Sequence, residues 1–130
     1  MVNEVNAISQ LIQEEPASLD HEQIASLYAQ LGTMGAEDVI RRAMEELALR
    51  LSHLERQYRQ GEFEELRKGA RSLIAIAKQI GMQQLATVSE NVCHAIDRND
   101  SVAIAATLAR LLRMGERSLL AVWELQDLSV

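Results

Sequence analysis

Ala70-Arg71-Ser72-Leu73-Ile74-Ala75-Ile76-Ala77-Lys78-Gln79-Ile80-Gly81-Met82-Gln83-Gln84-Leu85 is the stretch that decides the fold of this chain. With Leu66 before it, the apolar residues Leu66, Ala70, Leu73, Ala77 and Ile80 recur at spacings of four and three. That is the seam of a helix packed lengthwise in a bundle, not the alternation of a strand. The spacing predicts a helix over 62–80, stopped at Gly81, with Glu62, Glu64 and Glu65 stabilised at its positive end. Arg71 falls off the seam, about 100° around the helix from Ala70, and is expected to face solvent.

The same rhythm continues on both sides. Ile40, Met44, Leu47, Leu51, Leu54 and Tyr58 predict a long helix over 36–60, closed by Gly61 with Arg56 and Arg59 in its last turn. Leu85, Val88, Val92 and Ile96 predict a helix over 82–97, and Arg98-Asn99-Asp100 a turn in which Asp100 or Ser101 caps the next helix. The last helix, 102–125, carries Ile104, Leu108, Leu111, Gly115, Ser118, Val122 and Leu125, and the small residues Gly115 and Ser118 predict close approach to a neighbour. Upstream, Asp20 and Gln23 resemble a capping box for a short helix whose apolar side is Ile24, Leu27, Tyr28 and Leu31, and Gly32-Thr33-Met34-Gly35 reads as a flexible break. Residues 2–14 form a further amphipathic segment, Val5, Ile8, Leu11 and Ile12, ended by Pro16. Short connections between long amphipathic helices predict an all-α, up-down antiparallel four-helix bundle with additional N-terminal helix. One domain over 1–130 is expected, with 1–17 as the helical extension and 18–125 as the bundle.

Composition agrees. The 130 residues are 48% hydrophobic, enough for one core, yet only four are aromatic, so the apolar share is helix-former chemistry. A net charge of −6 argues against nucleic acid as a partner. The single Cys93 precludes an intrachain disulfide and fits a reducing compartment. No apolar run reaches membrane-spanning length and the first residues lack the pattern of a secretory leader, so no membrane association and a cytoplasmic location are expected.

The stretch from Ala70 to Leu85 resembles the signature of histidine-containing phosphotransfer (HPt) domains, which reads Ala-His-x-Leu-Lys-Gly-x-Ala/Ser-x-x-Leu/Ile-Gly-x-x-x-Leu. The frame matches at Ala70, Leu73, Ala77, Ile80, Gly81 and Leu85. It departs at the phosphoryl-accepting centre, where Arg71 stands for the His, Ile74 for the Lys and Ala75 for the Gly. The order of elements from about 19 to 125 is that of the family, a short leading helix followed by four antiparallel ones with the active position exposed on the second. The resemblance implies a bundle whose phosphoacceptor has been lost.

An imidazole has a lone pair to attack an acyl phosphate; a guanidinium stays protonated and has none. Arg71 can bind a carboxylate or phosphate but cannot pass a phosphoryl group on. Ile74 removes a neutralising cation, and Ala75 adds a methyl where glycine would let a partner come close. Arg67, Arg71, Ile74 and Lys78, at spacings of four, three and four, form with Ala75 a candidate docking patch, in which an exposed Ile74 is flanked by cations. The resemblance suggests its partner: a response-regulator receiver domain, whose pocket is ringed by carboxylates, or a histidine kinase. The bland alternative is a row of solvated cations with one tolerated apolar side chain.

Other candidates carry less. His94 lies off its helix's seam and is the alternative phosphoacceptor, although nothing around it repeats the family's frame. His53 and His21 read as structural or surface residues. Cys93 and His94, adjacent in a helix, diverge by about 100° and have no second pair at ligand spacing, so no metal site is expected. Glutamate pairs such as Glu45-Glu46 and Glu64-Glu65 read as charged outer faces, and the Arg110, Arg113, Arg117 row as a solvated one. No nucleotide-binding loop or nucleophile elbow is present, and no cofactor is expected.

The functional expectation is therefore a non-catalytic, HPt-like binding module of two-component signalling. The alternatives are an active phosphotransfer protein using His94 and a structural or oligomerisation bundle. The N-terminal stripe is expected to pack across the bundle end, with a homodimer contact as the alternative.

Overall fold

The computed structural model describes residues 20–128, and side chains as far as Glu124. The expectations placed on 1–19 and on the side chain of Leu125 lie outside the described residues. Four helices succeed one another: α1, His21–Arg59; α2, Phe63–Gln79; α3, Gln83–Asp97; and α4, Ser101–Leu128. Among the described residues there is no strand.

The three connections share one construction. At each helix end the chain turns through a left-handed residue, Gly61 (φ 72), Gly81 (φ 76) or Asn99 (φ 56). In each case that residue's N–H and the next one's bond back to carbonyls of the last turn. Gly81 donates to Lys78 at 3.3 Å and Met82 to Ala77 at 2.8 Å; Asn99 donates to Ile96 at 3.0 Å and Asp100 to Ala95 at 3.2 Å. This pair of bonds satisfies otherwise orphaned carbonyls and stops the helix. The residue that completes each stop, Glu62, Met82 or Asp100, also accepts the first backbone bond of the following helix. Only three residues separate each helix from the next, so the chain must reverse. Antiparallel packing brings Arg67 opposite Asp97 and Lys78 opposite Glu90.

Each helix packs on its neighbours in sequence, and α4 packs on α1 to close the ring. All the seam residues of α2 are buried: Leu66, Ala70, Leu73, Ala77 and Ile80. So are Ile40, Met44, Leu47, Leu51 and Leu54 of α1, with Tyr58 half-buried at its end. In α4 the small residues do bring two helices together. A Cβ added at Gly115 would stand 2.5 Å from Leu51 Cδ1 and 2.9 Å from Cδ2. Ser118, one turn on, is 1% exposed.

The N-terminal part of α1 departs from the expectation of two helices with a four-residue break. The helical run continues from His21 to Arg59 and is interrupted at Gly32 alone, whose φ of 73 and ψ of 173 put a kink there. Thr33, Met34 and Gly35 are helical, because a single glycine supplies the whole turn. Leu31, expected on the apolar side, is 47% exposed at the kink, whereas Leu27, one turn earlier, is buried. Asp20 does cap: its Oδ1 accepts from the N–H of Glu22 at 3.0 Å and of Gln23 at 3.2 Å. The reciprocal half of the box is absent, for Gln23 Nε2 donates instead to the Gln79 carbonyl at 3.2 Å. Together with the Asp20 N–H on the Gly81 carbonyl at 2.6 Å, this ties the start of α1 to the turn between α2 and α3.

Candidate functional site

The candidate face lies on α2 along its border with α3. Arg71 is exposed, as its position off the seam predicts. Ala75, one turn on, is also exposed, and so is Lys78. The other two members behave differently, and both expectations are corrected.

Ile74 is not an exposed apolar side chain. It is half-buried and packs against the core. Although about 100° from Leu73, it is only about 40° from Ala70 and 60° from Ala77, so it belongs to the edge of the apolar arc. Arg67 is not a free cation. It is half-buried, and its guanidinium meets Asp97 of α3 in a two-pronged pair, Nε to Oδ1 at 2.6 Å and Nη2 to Oδ2 at 3.0 Å. The Arg67 hydrogen bond and charge hold the Asp97 carboxyl below the usual carboxylate range. The Cys93 thiol lies beside this pair and donates to the Arg67 carbonyl at 3.7 Å. Burial pushes that thiol above its ordinary value, against the opposing charges of Arg67 and Arg71.

The remaining cations of α2 have carboxylates of their own. Lys68 Nζ is 3.5 Å from Glu65, and Lys78 Nζ is 3.9 Å from Glu90 of α3. Arg71 alone among the α2 cations has no carboxylate in ion-pair range among the described residues. The face therefore presents one unengaged guanidinium, the small Ala75 beside it and a loosely held ammonium one turn further on. Such a surface can grip an external carboxylate or phosphate in two-pronged fashion.

His94 is exposed on α3, close enough for its charge to act on Asp97. Three residues before Asp97 on the same helix, it borders the Arg67–Asp97 pair. His53 is half-buried in a polar cleft of about 150 Å³ between α1 and α2, with Arg50, Gln57 and Lys68. His21 is exposed. Of the glutamate pairs, Glu46 engages Arg50 at 2.8 Å, four residues on along the same helix. Arg110, Arg113 and Arg117 are all exposed. Among the described residues no three His, Cys, Asp or Glu side chains gather closely enough to hold a metal ion. No described helix is long and apolar enough to cross a membrane.

Two features escaped the sequence. Asp97 and Glu90, which engage Arg67 and Lys78, could have been found by counting outward from the turn between α2 and α3. An apolar groove between α1 and α4, bordered by Leu119, Leu120 and Trp123, was signalled by three large apolar residues lying beside, not on, the Ser118–Val122 seam.

In comparisons with known proteins, no family model, no curated protein and no solved structure matches the chain.

Proposed function

We propose that this chain is a non-catalytic binding module that docks on a partner through the α2 face centred on Arg71, with Ala75 and Lys78 around it. Its partner is a receiver domain or histidine kinase of a two-component pathway, whose signal it modulates without relaying phosphate. One observation carries the reading: Arg71 is left without a carboxylate on a helix where Arg67, Lys68 and Lys78 each have one. Exposed cations on amphipathic helices are readily neutralised by local carboxylates at little cost. An arginine left unengaged on the exposed face of a bundle suits an acidic counterpart on another molecule. The receiver is preferred because of the residue frame around Arg71, which resembles the HPt signature with its phosphoacceptor replaced.

The corrected patch is smaller than the sequence suggested. Ile74 contributes an apolar edge, and Arg67 serves to fix α2 on α3 beneath the contact. The test is a direct binding measurement against a panel of receiver domains with the wild type and Arg71→Glu. Binding that is lost in the variant, at unchanged helicity, supports the reading; binding indifferent to Arg71 refutes it.

A second reading, phosphotransfer through His94, has the exposure of His94 and its nearness to Asp97 in its favour. It requires acid-labile phosphate on the chain after incubation with a phosphorylated receiver, absent in His94→Ala. If that phosphate appears, the chain is not a non-catalytic module.

A further inference from the structure

The ion pairs Arg67–Asp97 and Lys78–Glu90 fix how α2 lies along α3. Arg71 is one turn past Arg67 on α2, and His94 is one turn before Asp97 on α3. The helices run antiparallel, so both steps go the same way, about 6 Å along one helix and about 4.5 Å along the other. Arg71 and His94 therefore stand level with each other, between the two ion pairs. Both are exposed. Cys93, next to His94 in the chain, lies within reach of the Arg71 charge, and Asp97 within reach of His94.

We infer that Arg71 and His94 are the two halves of one oxyanion site bridging α2 and α3, and that it takes a phosphoryl group carried by the docking partner. The inference rests on the docking role proposed for Arg71 and adds to it a second helix and a ligand.

Charge and hydrogen bonding select that ligand. Around the site, the three cations Arg67, Arg71 and Lys78 meet the two carboxylates of Asp97 and Glu90, so one positive charge is in excess. The next acid along α2 on the Arg71 side, Glu64, is seven residues and about 10 Å away. The charge in excess is the Arg71 guanidinium, whose parallel N–H groups take two oxygens of an anion. A carboxylate has only those two. A phosphoryl group has a third, and an imidazole in either protonation state keeps an N–H to donate to it. Packed helices stand about 8–10 Å apart, which leaves room for such a group between the two side chains. His94 in this role donates to the phosphoryl group and does not accept it covalently. Glutamine separates the two roles, because its amide N–H donates but the residue cannot be phosphorylated as histidine can.

Two binding measurements on the full-length chain test the site. The first is an NMR titration with inorganic phosphate at constant ionic strength, with acetate as the control. Phosphate should shift the Arg71 side-chain and His94 ring signals along one saturation curve, and acetate should bind about tenfold more weakly. His94→Ala should weaken phosphate binding about tenfold, and His94→Gln should retain most of it. The second measurement takes the panel of receiver domains in phosphorylated and unphosphorylated form. The phosphorylated form should bind about tenfold more tightly to the wild type and to His94→Gln, an advantage absent in His94→Ala. Phosphate that binds no better than acetate, or that is indifferent to His94→Ala, overturns the site. Receivers held equally in both forms overturn the partner-borne phosphoryl group and leave docking through Arg71 standing. Receivers held in neither form refute the docking itself, and this inference with it.

Discussion

Arg67 on α2 and Asp97 on α3 face each other across the helix border, with both prongs of the guanidinium on both oxygens of the carboxylate, at 2.6 and 3.0 Å. The pair removes from the candidate face a cation that the sequence offered to a partner, and so narrows the docking surface to Arg71 and its near neighbours. It also sets the register of α2 on α3 beneath that surface.

The pair has a pH signature. Arg67 depresses the Asp97 carboxyl, so the stabilisation is present above the ordinary carboxylate range and is lost as pH falls through the lowered value in the folded protein. Carboxyl chemical shifts followed by NMR should show Asp97 titrating below the usual aspartate range. In Arg67→Met the midpoint should rise toward the ordinary value, and unfolding should become less sensitive to acid over that window.

The turn between α2 and α3 tolerates no side chain. Gly81 has a φ of 76, and an added Cβ would lie 2.8 Å from the Asp20 carbonyl oxygen, a backbone atom that the cap holds in place. Gly81→Ala should cost at least about 1–2 kcal/mol from the left-handed conformation alone, and more from the clash. Chemical denaturation measures it. The equivalent change in the other direction, Asn99→Gly, should be neutral or slightly stabilising.

Gly115→Ala sets two effects against each other. Alanine favours the helix by about 1 kcal/mol, whereas overpacking a core costs about 1–3 kcal/mol. The two Leu51 methyls stand 2.5 and 2.9 Å from the new Cβ, and Leu51 is only 6% exposed, so it has little room to turn away. The net expectation in chemical denaturation is a loss of about 1 kcal/mol, which Leu51→Ala in the same chain should partly relieve.

Ser118 is buried with its hydroxyl lacking a hydrogen-bond partner among the described residues. An unsatisfied buried polar group costs about 1–3 kcal/mol, and alanine is also the better helix former. Ser118→Ala should therefore stabilise by about 1 kcal/mol, raising Tm by about 4 °C in a domain of this size.

Much of the fold is legible in the apolar spacing. The seam from Leu66 to Ile80 needs only a period, and the turns at Gly61, Gly81 and Asn99 need only residues that accept a left-handed backbone. The candidate site is less so, because it depends on what lies opposite. Arg67 reads as free until α3 places Asp97 against it. Ile74 reads as exposed until the width of the buried arc is known. The break within α1 reads as four residues, because sequence marks two glycines and cannot say that one suffices.

Arg71 is the proposed anchor for another protein, and the most direct test is recovery of partners from a lysate of the organism of origin, with the wild type beside Arg71→Glu. Proteins containing receiver domains or histidine kinases should be retained by the wild type and lost from the variant, whose circular dichroism is unchanged. Retention of the same partners by both proteins, or recovery of no such proteins by either, would contradict the role given to Arg71.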